Sequence, residues 1–184
     1  MEARERTNWQ EHFATPIYTL GSFDISLPRE DRKKTYYVLH SKDWVNVIPI
    51  TKKGEILLIK QYRHGLGEVS LELPGGIVDE SGNNIEAALL SAKRELREET
   101  GFTASDENYQ LLMKYSGNPA MFTNWSYSFI AYDVEKTESV DFDEGEDIEF
   151  MLLPKEKVKD LLLDGTIHHP QMAAALGAFF LKGY

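Results

Sequence analysis

Residues 85–102, IEAALLSAKRELREETGF, decide how this chain is to be read. Apolar or small residues recur at helical spacing, and Gly101 follows directly where a left-handed residue would stop the helix. The stretch therefore predicts an α-helix over Ile85 to Thr100. With successive residues about 100° apart and Glu95 set at zero, Glu99 lies at about 40° and Glu98 at about −60°, so three carboxylates share one face. Ile85, Leu89, Ala92 and Leu96 form an apolar stripe beside them. Acids three and four residues apart repel one another by a few tenths of a kcal/mol. They also occupy the last turn, where the helix dipole disfavours anions. Stability alone does not favour this placement; hard divalent cations bound on that face would reverse the penalty. Arg94, four residues before Glu98, is placed to orient that carboxylate and offset part of the repulsion.

Outward from this helix, the order of elements predicts an α/β protein. WVNVIPI (44–50) and EILLIKQYR (55–63) flank a Thr51–Gly54 turn signal and read as a hairpin. Leu71-Glu72-Leu73 reads as a short strand that ends in the turn Pro74-Gly75-Gly76. Further strands are expected at Leu111–Tyr115, through the alternating Trp125, Tyr127 and Phe129, and up to Leu153. Pro154 and Pro170 sit where helices begin, the first ending near Gly165. Residues 1–42 mix charge with aromatic, strand-like stretches such as Thr35–Leu39 and are read as an N-terminal β extension; residues 43–184 are read as the main domain. Strands and helices in this order suggest a sandwich with a mixed sheet between helices.

Composition limits the chemistry. The 184 residues suit one main domain. The absence of cysteine removes thiolate ligands, disulfides and a cysteine nucleophile, leaving oxygen or imidazole to hold any metal. A formal charge of −10 counts against nucleic acid and anionic membrane as partners. The charged opening MEARERTNWQ has no apolar run of signal-peptide length, and no later run approaches a membrane span, so a cytoplasmic location is expected. An acidic pocket can still take a pyrophosphate when divalent cations stand between the two anions.

The string of Glu86, seven residues, Arg94-Glu95-Leu96-x-Glu98-Glu99-x-Gly101-Phe102 resembles the Nudix hydrolase signature, G-x5-E-x7-RE-Φ-x-EE-x-G-Φ, Φ being apolar. It departs from that signature at one place: nine residues separate Gly76 from Glu86 instead of five, with Ser81-Gly82-Asn83-Asn84 in the longer loop. QYRHG, LELPGG, GNPAMFTN and DEGEDIEFMLLP extend the resemblance over roughly residues 44–180, toward the ADP-ribose pyrophosphatase and nucleoside diphosphate sugar hydrolase branch. It implies the Nudix-type α/β/α sandwich and Mg²⁺, with Mn²⁺ as the alternative ion, on Glu95, Glu99 and the Gly75 carbonyl, with Glu98 sharing or supporting them.

The same branch places a general base or an extra metal ligand in the loop corresponding to Asp141–Glu149; Glu144 and Glu146 are the candidates, their roles not separated. Arg63, at a strand end, suits a bidentate phosphate contact, and Trp44 suits stacking on a base. The five histidines, including His168 and His169, show no ligand spacing and are read as structural. The resemblance further implies a homodimer formed through the N-terminal extension, which would complete the substrate pocket. The expected substrate is a nucleoside diphosphate sugar, ADP-ribose first, with GDP-mannose, other such sugars and dinucleotides as alternatives. A non-catalytic nucleotide sensor on the same fold is the rival from another class.

Overall fold

The computed structural model describes residues 4–30, 32–79, 84–142, 145 and 147–184. The chain forms two compact units, one of residues 1–42 with 116–125, the other of residues 43–115 with 126–184. The segment GNPAMFTN, residues 117–124, falls in the first of these units.

In the first unit, β1 (Thr7–Ala14), β2 (Tyr18–Ser26) and β3 (Lys33–Ser41) make an antiparallel three-stranded sheet. Leu39 exchanges backbone hydrogen bonds with Met121 and Thr123, which holds residues 116–125 to β3. Gly21 is required by close approach: a Cβ there would collide with the Trp9 ring lying across it.

The second unit is built on a seven-stranded sheet. Its strands are β4 (Trp44–Ile50), β5 (Glu55–Arg63), β6 (Glu68–Glu72), β7 (Gly75–Ile77), and, after the helix α1 (Ile85–Thr100) and the short β8 (Phe102–Thr103), β9 (Tyr109–Tyr115), β10 (Ser126–Tyr132) and β12 (Ile148–Pro154). The two-residue β11 (Glu135–Lys136) pairs with β8 outside this sheet. The order β12-β5-β4-β10-β9 is mixed, β4 and β10 running parallel and the rest antiparallel, with β6 on β5 and β7 on β4. Strand alternation divides the core. Val45, Val47, Leu57, Ile59, Tyr127 and Phe129 pack with Ala88, Ala92 and Leu96 of α1 on one face. Ile48, Ile50, Ile56, Leu58 and Ile130 pack on the other with α2 (Lys155–Leu163) and α3 (Pro170–Leu181). The unit is the expected α/β/α sandwich.

Two local readings change. Pro74-Gly75-Gly76 is not only a turn, since Gly75 and Gly76 open β7 and pair with Asn46 and Val45. Ile85, the first residue of α1, does not belong to its packed stripe and is half exposed. The buried face is instead Ala88, Ser91, Ala92, Leu96 and Glu99, rotated toward the acidic side. No helix among the described residues is long and apolar enough to cross a membrane.

The helix is delimited by chemistry at both ends. Asn84 accepts a hydrogen bond from the Ala87 N–H at 2.9 Å, and Gly101, with φ of 73°, donates its N–H to Arg97 C=O at 2.7 Å. Replacing Asn84 with alanine leaves an N-terminal donor unsatisfied and is expected to lower unfolding free energy by about 1 kcal/mol, whereas Asn84→Asp is expected to hold wild-type stability. Urea denaturation of the two variants checks this.

Candidate active site

α1 lays its C-terminal acids against the β7 strand. In an antiparallel ladder, bonded and non-bonded pairs alternate. The Val47 N–H donates to Pro74 C=O at 3.0 Å, so the Gly75 peptide groups face away from β4, and the Gly75 N–H donates to Glu99 Oε2 at 2.9 Å. Glu99 is 2% exposed. Beside it, a Cβ on Gly76 would collide with the Glu95 carboxylate, and one on Gly75 with the Val45 carbonyl. Neither glycine has a positive φ. They are small because a carboxylate and a neighbouring strand lie where a side chain would be.

Arg94 holds the other acids, donating to Glu95 Oε1 at 2.6 Å and to Glu98 Oε2 at 2.7 Å, while Arg97 donates to Glu98 Oε1 at 2.7 Å. Burial lowers the Arg94 pKa, but the Glu95 and Glu98 charges and hydrogen bonds overcome it and raise the group above its ordinary value. The acid-on-acid repulsion of the last turn is therefore compensated by arginines within the helix. The segment leading into the acidic loop is fastened to the same helix end, with Asp141 N–H donating to Glu98 C=O at 2.8 Å and Thr137 and Glu138 N–H to Gly101 C=O. Glu144 and Glu146 lie outside the described residues.

Among the described residues no three His, Asp or Glu side chains converge as a metal cluster. Glu95, Glu98 and Glu99 are instead parcelled out to Arg94, Arg97 and the Gly75 N–H. The donor set nevertheless fits a hard cation: carboxylate oxygens of Glu95 and Glu99 are packed onto a glycine strand with no side chain to exclude a ligand.

Two clefts of the second unit meet beside this region. The smaller, about 270 Å³, is lined by Trp44, Arg63, Gly75, Gly76, His169 and Gln171 among others. The larger, about 830 Å³, runs along Gln61–Leu66 and Ser70 to His168–Pro170, with Gly145 and Asp147 on its wall. Trp44 is half-buried at the start of β4, opposite Ile77. Arg63 is committed to Glu72, donating from Nε at 2.8 Å and from Nη2 at 2.6 Å to a carboxylate with no exposed surface. Burial raises the Glu72 pKa, but Arg63, with smaller help from His169 and Ser70, reverses the effect and holds the carboxyl below the usual range. His169, set aside as structural in the sequence, lies on both clefts. Burial pulls its pKa down and Arg63 and His168 add to that, against the opposing charge of Glu72. Only chain folding brings it to β5 and β6, and spacing along the sequence gave no sign of this.

The NUDIX domain model matches residues 40–176. The ADP-ribose pyrophosphatase of Bacillus subtilis (strain 168) is 26% identical over 94% of this chain and 90% of its own length. The ADP compounds hydrolase NudE of Escherichia coli (strain K12) is 30% identical over 87% of this chain and 82% of its own. A solved structure described as an ADP compounds hydrolase superposes with a TM-score of 0.82 at 25% identity, covering all of this chain and 96% of that one.

Removing one partner of the Arg63–Glu72 pair strands the other charge. Glu72→Gln is expected to cost about 3 kcal/mol, the low end for a broken buried pair because Arg63 keeps part of its side chain in solvent. Glu72 has a folded pKa below its unfolded one, so its contribution is complete above the ordinary glutamate range and disappears as pH falls through the folded value. Denaturation from neutral to acid pH should show the gap between wild type and variant closing at the acid end. A gap independent of pH would contradict the assignment.

Proposed function

The chain belongs to the Nudix family and is a Nudix hydrolase, and from that premise we propose that it cleaves the pyrophosphate bond of nucleoside diphosphate sugars in a divalent-metal-dependent reaction, with ADP-ribose favoured and AMP and ribose 5-phosphate as products. The observation that carries the reading is the seam between α1 and β7, where the buried Glu99 carboxylate meets the Gly75 N–H and Glu95 packs on Gly76. Glu95, Glu99 and the Gly75 carbonyl would hold the cation, Mg²⁺ or Mn²⁺, with Glu98 in support. When bound, such a cation supplies charge neutralisation on phosphate oxygens and an acidified water. The protein's own part is to fix these oxygens before substrate arrives. Arg94 orients Glu95 and Glu98 from within the helix, and the Gly75–Glu99 hydrogen bond sets the distance between helix and strand.

Glu144 and Glu146 are assigned to proton abstraction from the attacking water or to a further metal contact. Gly145 and Asp147, their described neighbours in sequence, line the larger cleft. Trp44 is assigned to the base and Arg63 to the phosphates, both standing on the smaller cleft next to Gly75. The N-terminal extension is assigned to homodimerisation. Exposed Trp9, Phe13, Ile17 and Tyr37 on or beside its strands give it more apolar surface than a solvated sheet requires.

Incubation with ADP-ribose, GDP-mannose, NADH and a nucleoside triphosphate, each with Mg²⁺ and with EDTA, should release AMP and ribose 5-phosphate from ADP-ribose only when metal is present. Glu99→Gln, close in shape and uncharged, is expected to lower that rate by at least 100-fold. Nucleotide binding without turnover of any compound would leave the sensor reading in its place.

A further inference from the structure

We infer that Tyr115 is a positioning residue, whose buried hydroxyl ties the start of α3 to β4 and so holds the wall of the smaller cleft, where the nucleotide half of the substrate is received. The inference rests on the reaction class proposed above and adds to it a residue outside the clefts, since Tyr115 lines neither of them.

The hydroxyl is used to capacity inside the protein. Tyr115 Oη donates to the Gln171 C=O at 3.0 Å, accepts from Asn46 Nδ2 at 3.1 Å and has Ser128 Oγ as a second donor at the longer distance of 3.5 Å. One proton and two lone pairs are all that a phenol offers, so nothing is left for a substrate and the residue acts through its partners. Burial raises its pKa, against the smaller opposing effect of Ser128 and Asn46, so the proton that bonds Gln171 stays in place at neutral pH.

Two of those partners lead to the smaller cleft. Gln171 lines it beside His169 and Met172, and Asn46 is paired across the ladder with Gly75, which lines it as well. The start of α3 has little else of its own to fix it. Its N-cap residue, His169, makes no side-chain capping bond, and Pro170 has no N–H to give. Met172, Ala175, Leu176 and Phe179 are buried, but apolar packing is non-directional and sets the depth of a helix on a sheet more firmly than its position along it. The hydrogen bond from Tyr115 supplies the directional contact, and through Asn46 it refers the α3 wall to the strand that faces Gly75.

The test is steady-state hydrolysis of ADP-ribose with Mg²⁺, beside calorimetric binding of AMP with Mg²⁺. Tyr115→Phe removes the hydroxyl alone and is expected to raise KM and the AMP Kd about tenfold, with kcat changing less than about twofold. Asn46→Ala cuts the same tie at its other end and should give the same split; combined with Tyr115→Phe it should add little, because both break one connection. Val158→Ala, a truncation of a buried core residue that lines neither cleft, lowers stability and should leave KM and AMP binding unchanged. Unchanged KM and AMP affinity in Tyr115→Phe, additive losses in the double variant, or the same split in Val158→Ala would overturn the inference. Should the wild type not hydrolyse ADP-ribose, the proposed reaction fails by itself. AMP binding then still decides on Tyr115, because weakening in Tyr115→Phe but not in Val158→Ala supports its role, and equal affinities remove it.

Discussion

Glu99 accepts the Gly75 N–H at 2.9 Å while almost wholly buried in the last turn of α1, against the helix dipole and one residue from another acid. Each of those circumstances disfavours an ionised carboxylate. The structure around it compensates. Gly75 and Gly76 remain without side chains so that β7 can approach the helix, Arg94 and Arg97 absorb the charge of Glu95 and Glu98, and Gly101 ends the helix so that the loop toward Asp141 can return and bond Glu98. The sandwich keeps α1 in register through Ala88, Ala92 and Leu96 on the sheet.

The helix was legible because its signals are local. Asn84, the apolar spacing and Gly101 delimit Ile85–Thr100 without help from the rest of the fold, and Pro170 and Gly54 mark their elements in the same way. The orientation of that helix was less so. Hydropathy placed Ile85 on the packed face and the acids beside it, whereas the sheet covers Ser91 and Glu99 and leaves Ile85 in solvent. Hydropathy assigns a carboxylate to water, and only the neighbouring glycine strand shows why this one is buried. The reading of Pro74-Gly75-Gly76 as a turn failed for a related reason: strand pairing with β4 depends on residues nearly thirty positions upstream.

The residues of the clefts divide similarly. Trp44, Arg63 and the glycines stand on elements whose patterns announce them, and they share one cleft. That Arg63 meets the buried Glu72 follows from β5 pairing with β6, and that His169 joins them follows from α3 lying under the other face. No spacing rule links His169 to Arg63, so the histidine could be found only in three dimensions.

The central claim is that the carboxylates of Glu95 and Glu99, set against Gly75 and Gly76, hold a divalent cation. Electron paramagnetic resonance of Mn²⁺ during titration with the protein addresses it without reference to any substrate. The wild type is predicted to quench the free-ion signal stoichiometrically and Glu99→Gln to leave most of it, with both proteins showing the same unfolding midpoint in the absence of metal. Equal quenching by the two proteins would contradict the account, because the cation would then be held somewhere other than the seam between α1 and β7.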